Sequence, residues 1–367
     1  MQIPFLDLRR QFREVEAETA AALRRVLASG AYILGREVEA FEDEWAQFCG
    51  VGSAAAVANG TDALALALVA SGAVREGRED EVITSPLTAA YTALAIKSVG
   101  GVPVFADIDP QTYTLNPRAV EKAITPRTRA VVPVHLYGQM ADMPALCEVA
   151  ARHGLIVIED AAQAHGAHLR GRRAGAHGHA AAFSFYPTKN LGAYGDGGAV
   201  VSNDATLIER VKTLRQGGHA PALRGHIEGR NSRLDEIQAA ALRVKLTYLE
   251  GWNQQRQILG EIYNEALGGS RADIPPALIP EAHVYHLYVV QHPARNHLRT
   301  HLAARGIETV IHYPFLLHRQ PLFRRGGQRD LPVAERAAGR ILSLPLYPQF
   351  GTEELRAVTD AILSFDE

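Results

Sequence analysis

Two cysteines, Cys49 and Cys147, stand in a chain of 367 residues. They offer no disulfide framework and no four-ligand zinc site. No apolar run reaches the roughly 18 residues that a membrane-spanning helix needs; the longest candidate, Ala63 to Val74, is short and carries Ser71 and Gly72 near its end. Neither sign of charge prevails. Lys and Arg total 38 and Asp and Glu total 40, a formal net charge of −2, which gives no pull toward nucleic acid or an anionic membrane. The opening Met1-Gln2-Ile3-Pro4-Phe5-Leu6-Asp7 lacks the basic and apolar stretches of a signal peptide, so a soluble cytoplasmic protein is the expectation. Lysine is scarce as well. Only Lys97, Lys122, Lys189, Lys212 and Lys245 occur, so any lysine chemistry has five candidates.

What is present is ordinary for a globular protein. Hydrophobic residues make up 47% and charged residues 21%, which argues against disorder and coiled coil. The length suggests two domains. Residues 13–48 read as helical with a break at Ser29-Gly30. From about 53 to 220, β-rich runs at 53–58, 102–105, 130–134, 155–158, 181–185 and 199–202 mix with helical stretches at 62–71, 117–124 and 142–153. This alternation predicts βα units around a mostly parallel sheet buried on both faces. A long helical pattern runs from Ser232, read as an N-cap, to Leu267 with an interruption at Gly251. Beyond it, 284–290 and 307–312 read as strands, and 295–305 and 352–365 as helices. The expected division is 1–250 and 251–367.

Gly50-Val51-Gly52-Ser53-Ala54-Ala55 matches G-x-G-x-x-A. A dinucleotide fingerprint follows a strand and opens a helix, whereas these glycines precede a strand-like run, so the match is discounted. Asn59-Gly60-Thr61-Asp62-Ala63-Leu64 is better placed, between a strand and an apolar helix. On its own it reads first as an ordinary helix cap, and second as an anion site made of free amides and the Thr61 hydroxyl. Asp160 ends the apolar run Ile156-Val157-Ile158-Glu159, where open α/β sheets bind ligands; a helix cap or structural ion pair is the alternative. Lys189 lies in Phe183-Ser184-Phe185-Tyr186-Pro187-Thr188-Lys189-Asn190-Leu191-Gly192, a loop between two strands. The other four lysines fall in helical stretches and read as solvated helix faces. Phosphate cradle, acid and lysine, in that order, match the needs of pyridoxal 5′-phosphate: a phosphate site, a partner for the ring nitrogen and an amine.

The chain resembles the DegT/StrS-type nucleotide-sugar aminotransferases nearly end to end. The resemblance rests on Phe5-Leu6-Asp7-Leu8, Gly30-Ala31-Tyr32-Ile33-Leu34-Gly35, the Asn59 to Leu64 turn, Val134-His135-Leu136-Tyr137-Gly138-Gln139, Glu159-Asp160-Ala161-Ala162-Gln163, Phe183 through Gly198, Asn231-Ser232-Arg233-Leu234-Asp235-Glu236, and His312-Tyr313-Pro314. It implies an α/β fold, fold type I of the pyridoxal-phosphate enzymes (aspartate aminotransferase-like), with a mostly parallel sheet flanked by helices and a smaller C-terminal α/β domain. It implies pyridoxal 5′-phosphate as cofactor and no metal. By the same resemblance Lys189 anchors the cofactor and shuttles the proton, and Asp160 keeps the ring nitrogen protonated. Gln163 contacts the ring hydroxyl or face, and Gly60, Thr61 and Ser184 hold the phosphate. Asn231 reaches the phosphate of a neighbouring subunit in a homodimer with shared active sites, and His312 and Tyr313 lie near the sugar. One position departs from the pattern. Ala89 stands where the family carries an aromatic over the cofactor ring, with Tyr91 two residues on and Thr88 beside it.

The implied reaction is amino transfer from L-glutamate to a nucleotide-linked keto sugar, with a 3-keto sugar as the nearest match, in amino-sugar or polysaccharide biosynthesis. A 4-keto sugar or cyclitol aminotransferase, a sugar dehydratase and a non-catalytic sensor on the same fold are the alternatives. Dehydratases of this group carry histidine where Lys189 stands.

Overall fold

Asp7 starts the first helix. Its carboxylate takes the amides of Arg9 and Arg10, and α1 (Leu8–Ser29) runs to Gly30. The three-dimensional structure is a computed structural model that describes residues 2–218, 229–268, 270, 272–274, 279–323 and 330–365. α2 (Arg36–Cys49) opens on Gly35, which has no side chain to cap it. A distant residue does so instead: the Glu236 carboxylate accepts from the amides of Gly35, Glu37 and Val38 at 2.8–2.9 Å. α2 ends at Gly50 with φ 71°, a left-handed C-cap that glycine adopts at no steric cost. The Gly50-Val51-Gly52 pattern is therefore a helix terminus.

Strands and helices then alternate: β1 (Ser53–Val57), α3 (Gly60–Ala70), β2 (Glu81–Thr84), α4 (Ala90–Ser98), β3 (Val102–Phe105), α5 (Pro117–Ala123), β4 (Thr128–Val132), α6 (Met143–Arg152) and β5 (Ile156–Asp160). A short hairpin of β6 (His168–Leu169) and β7 (Arg172–Arg173) leads to β8 (Ala180–Ser184), β9 (Gly198–Ser202) and α7 (Ala205–Leu214). Seven strands form one sheet in the order β1-β9-β8-β5-β4-β2-β3. Only β9 runs against its neighbours; the other pairings are parallel.

Alternate side chains leave opposite faces of the sheet. Ala54, Ala56, Val131, Val157, Ala181 and Phe183 pack with Phe41, Trp45, Leu146 and Val149. Ala55, Val57, Val132, Ile158 and Ala182 pack with Leu64, Leu68, Ile96, Ile208 and Val211. Burial on both faces is the expected setting of a mostly parallel sheet. Each fully buried large side chain contributes about 1.5–3 kcal/mol by removal from water.

After α8 (Glu236–Leu246) and α9 (Leu249–Leu267) come β10 (Tyr288–Gln291), α10 (Arg295–Ala304), α11 (Pro332–Arg340), β11 (Ile341–Leu344) and α12 (Thr352–Leu363). β10 and β11 pair antiparallel. A third core joins Leu259, Tyr263 and Leu267 of α9 to Val290, Leu302, Leu344, Val358 and Ile3. Ile3 makes a parallel bridge with Ile307, its amide donating to the Gly306 carbonyl at 2.8 Å. We propose that the division near residue 250 falls at the start of α9, with Ile3 crossing it.

Several expectations are corrected. Residues 307–312 form only isolated bridges at Ile307 and Val310. The helical run breaks at Thr247-Tyr248, and Gly251 lies inside α9. Asp235 occupies the N-cap position of α8, while the Ser232 hydroxyl accepts from the Ala58 amide at 3.1 Å. Among the described residues no helix is long and apolar enough to cross a membrane.

Candidate active site

The C-terminal ends of β1 and β8 meet the start of β9, where Gly198 pairs with both Val57 and Ser184. β5 ends beside them, with Asp160 opposite Ala182. Thr61, Asp160 and Ser184 therefore reach one edge of the sheet, as their places in the sequence suggested.

Gly60 opens α3 there. A Cβ at Gly60 would stand 2.6 Å from the Ser184 Cβ, so only glycine lets the turn close against Ser184. Asn59 Oδ1 accepts from the Asp62 amide at 2.9 Å. No hydrogen bond of the Gly60 or Thr61 amide is recorded among the described residues. Open amides at the positive end of a helix dipole form an anion cradle. The Ser184 hydroxyl accepts from the Tyr186 amide at 3.3 Å, and its own proton is available for an anion.

Asp160 is buried. Its Oδ2 accepts from the Thr92 hydroxyl at 2.8 Å, and its Oδ1 from the Ala162 amide at 3.3 Å. Burial raises its pKa above the usual carboxylate range, opposed by these donors and by Lys189. The Lys189 amide bonds the Tyr186 carbonyl at 2.8 Å, winding the loop into a tight turn. Burial lowers the Lys189 ammonium to about 8, with Asp160 pulling the other way. No ion pair fixes its Nζ among the described residues. Lys189 thus gives up its proton more readily than a free lysine, beside a buried acid, the condition for a nucleophilic lysine.

Imidazoles border the same space. Burial depresses His165 to about 3 and His312 to about 4, with Lys189 adding to both. His286 is lowered by burial too, with Lys189 again contributing. All three are neutral near pH 7. Gln163 is held at both ends. Its Oε1 accepts from the Tyr137 amide at 2.7 Å, and its Nε2 donates to the Tyr313 hydroxyl at 3.2 Å. The second Nε2 proton remains for a ligand. His312 Nδ1 lies 2.9 Å from the Ser343 hydroxyl.

The structure brings together Gly60, Ser184, Asp160 and Lys189, and places Gln163 against Tyr313 near Asp160. Arg230 pairs with Asp62 and Ser232 takes the Ala58 amide, but among the described residues the Asn231 side chain makes no hydrogen bond to these site residues. Asn231 is exposed and bridges Gln216. Tyr91, a candidate cover for the cofactor ring, is 66% exposed. Thr88 is buried instead, its hydroxyl 3.3 Å from that of Thr92, the residue that donates to the Asp160 carboxylate. Lys245 departs from the solvated helix face read for it. It is 3% exposed, donates to the Gly192 carbonyl at 2.8 Å and stands over the Tyr194 ring at 3.8 Å. Reasoning from sequence missed Thr92, His165, Asn190 and His286. Asn190 follows Lys189 and Thr92 follows Tyr91 in the chain, whereas nothing local marks His165 or His286.

An amine, a buried acid and an amide cradle narrowed by glycine fit a phosphorylated pyridine aldehyde. Comparison with known proteins agrees. The chain is 47% identical to the dTDP-3-amino-3,4,6-trideoxy-alpha-D-glucose transaminase of Streptomyces venezuelae, over 100% of this chain and 97% of that protein. It is also 47% identical to the erythromycin biosynthesis sensory transduction protein EryC1 of Saccharopolyspora erythraea, over 96% of each. Among solved structures, S. venezuelae DesV in complex with a ketimine intermediate superposes with a TM-score of 0.93, covering 98% of this chain and 97% of that one. The architecture is fold type I of the pyridoxal-phosphate enzymes, and the cofactor is pyridoxal 5′-phosphate. The match to the DegT/DnrJ/EryC1/StrS aminotransferase family spans residues 13–363, and the chain belongs to that family.

Proposed function

We propose that the protein transfers an amino group from L-glutamate to a nucleotide-linked 3-keto sugar, as a homodimer with shared active sites. The observation that carries this reading is Lys189 beside Asp160, its ammonium lowered to about 8 by burial. The sugar assignment is supported by relatives named for 3-amino and 3-oxo sugars on dTDP and UDP. Free Cys49 and Cys147 are in keeping with a reducing, cytoplasmic setting.

When bound, pyridoxal 5′-phosphate supplies the carbon that exchanges amines and the ring that takes up an electron pair. The amides of Gly60 and Thr61 and the Ser184 hydroxyl would hold its phosphate, and Lys189 would be its covalent anchor. Asp160 would accept the proton-bearing ring nitrogen; a carboxylate held by Thr92 keeps that proton in place. Gln163 would offer its remaining N–H to the ring hydroxyl. Once freed, Lys189 Nζ would be the base that takes the proton from the donor's α-carbon and the acid that delivers it two bonds away, across the nitrogen. It repeats the transfer in reverse for the ketone. His312, neutral by burial, and the Tyr313 hydroxyl would border the sugar. Asn231, exposed on this chain, would reach the phosphate held by the partner subunit.

A sensor is the second reading, supported by the printed name of the relative from S. erythraea. A visible spectrum of the cofactor-loaded protein separates the two. Addition of L-glutamate should shift the bound-cofactor band, and a 3-keto nucleotide sugar should restore it. A band that L-glutamate leaves unchanged would overturn the transfer.

A further inference from the structure

Asn253 projects from the second turn of α9 into the core and is 7% exposed. Its Nδ2 donates to the His165 carbonyl at 2.7 Å, and its Oδ1 accepts from Asn190 Nδ2 at 2.9 Å. Asn190 is the residue after Lys189. It sends its second N–H to the Val284 carbonyl at 3.1 Å, and its Oδ1 lies 3.2 Å from His286 Nδ1. His165 Nε2 lies 2.9 Å from the Ser184 carbonyl. Carbonyls only accept, so every orientation in this run is forced. Both amides are fixed by the carbonyls they meet. His286 must carry its proton on Nδ1 and His165 on Nε2.

One helix side chain therefore ties the carbonyl of His165, whose ring holds Ser184, to the side chain next to Lys189. One turn further along α9, Arg256 donates to the Tyr285 and Leu346 carbonyls, both at 3.1 Å. The helix that supplies the tie is itself fixed one turn on, by carbonyls of two other segments.

Stability does not account for this arrangement. Buried polar side chains cost free energy unless every group is paired. Replacing both partners of a buried bond by apolar groups is nearly neutral. His165 Nδ1 has no hydrogen-bond partner among the described residues, but the paired amides of Asn190 and Asn253 next to a reactive amine do specify a single geometry, and a misplacement of about 1 Å costs roughly a hundredfold in rate.

We propose that Asn253 is a positioning residue for Lys189. Through Asn190 it fixes the loop that carries the amine, and through His165 it fixes Ser184 in the same frame. The inference rests on the reading of the site as a pyridoxal-phosphate site.

The test is Asn253→Ala, loaded with pyridoxal 5′-phosphate and titrated with alkali while the visible band is followed, with no amine substrate present. The midpoint should move by about half a pH unit or more. In turnover, kcat should fall roughly tenfold while KM for L-glutamate stays within about twofold. A lowered Tm with wild-type midpoint and wild-type kcat would mean a packing role only and would overturn the proposal. Asn253→Ser, which keeps a polar group, carries the same readouts if the alanine variant does not fold. The titration needs no sugar. A wild-type protein without a band would sink the reading of the site, whereas a variant that matches a normal wild type would sink this inference alone.

Discussion

Thr92 on α4 donates its hydroxyl to Asp160 Oδ2 at 2.8 Å. A helix on one face of the sheet thus helps set the charge of a carboxylate that ends a strand. That bond lowers the Asp160 pKa against the rise caused by burial. Thr92→Val should let the carboxyl protonate more readily and weaken its hold on a proton-bearing ring nitrogen. A hydrogen bond to a charged group is worth about 1.5–3 kcal/mol, so cofactor affinity should fall roughly tenfold or more, measured by absorbance against added pyridoxal 5′-phosphate.

Lys189→Ala should abolish turnover and let the cofactor leave on dialysis; normal turnover would refute the assigned mechanism. The same change removes a buried ammonium that has no ion-pair partner among the described residues. Lys189 has a folded pKa of about 8 against an ordinary 10.5, so below pH 8 the folded state must hold a desolvated charge. Cofactor-free Lys189→Ala should melt above the cofactor-free wild type at pH 7, and that advantage should shrink as pH rises from 8 to 10.5. Equal melting at both ends would contradict this.

Gly60→Ala places a methyl group 2.6 Å from the Ser184 Cβ. Strand or helix must move, at about 1–3 kcal/mol. The variant should bind pyridoxal 5′-phosphate more weakly and lose several degrees in Tm, read by calorimetry with and without the cofactor.

Acid should destabilise the protein before its carboxylates titrate. His165 and His312 have folded pKa values of about 3 and 4 against an ordinary 6.5. Between these values the unfolded chain binds protons that the folded chain refuses, so stability falls as pH drops from about 6.5 toward 4. Unfolding in urea at pH 7, 6 and 5 should show a falling midpoint. A flat profile over that range would mean that these imidazoles protonate while folded.

Asn231→Ala should weaken cofactor retention in the assembled protein without changing the secondary structure of the chain. Unchanged retention after gel filtration would argue against a contact across subunits.

The features legible in the sequence were those with local causes. Short β-rich runs marked β1, β3, β4, β5, β8 and β9, and Asp160 and Lys189 stood out because a strand end and an aromatic loop are local signals. The features that were missed depend on distant partners. Only Val82 and Ile83 of the four covered residues of β2 are apolar; Glu81 and Thr84 are buried through the distant Arg127 and Val132 carbonyl. Glu236 reads as an acid in the first turn of its own helix, yet its carboxylate caps α2 some 200 positions earlier in the chain. Lys245 follows helix spacing, and its burial is decided by the Gly192 carbonyl and the Tyr194 ring. Asn253 shows nothing in sequence, because its partners lie 63 and 88 positions away.

The bridge between Ile3 and Ile307 bears on how the chain can be divided. The last third of the sequence completes its core only with a residue from the start of the chain. A fragment cut at the beginning of α9 would leave a gap where Ile3 packs and the Gly306 carbonyl without its amide partner. Such a fragment should recover its packing when a peptide carrying the first eight residues is supplied in trans. Splitting the gene at that point therefore calls for a circular permutation, with the opening segment joined ahead of α9.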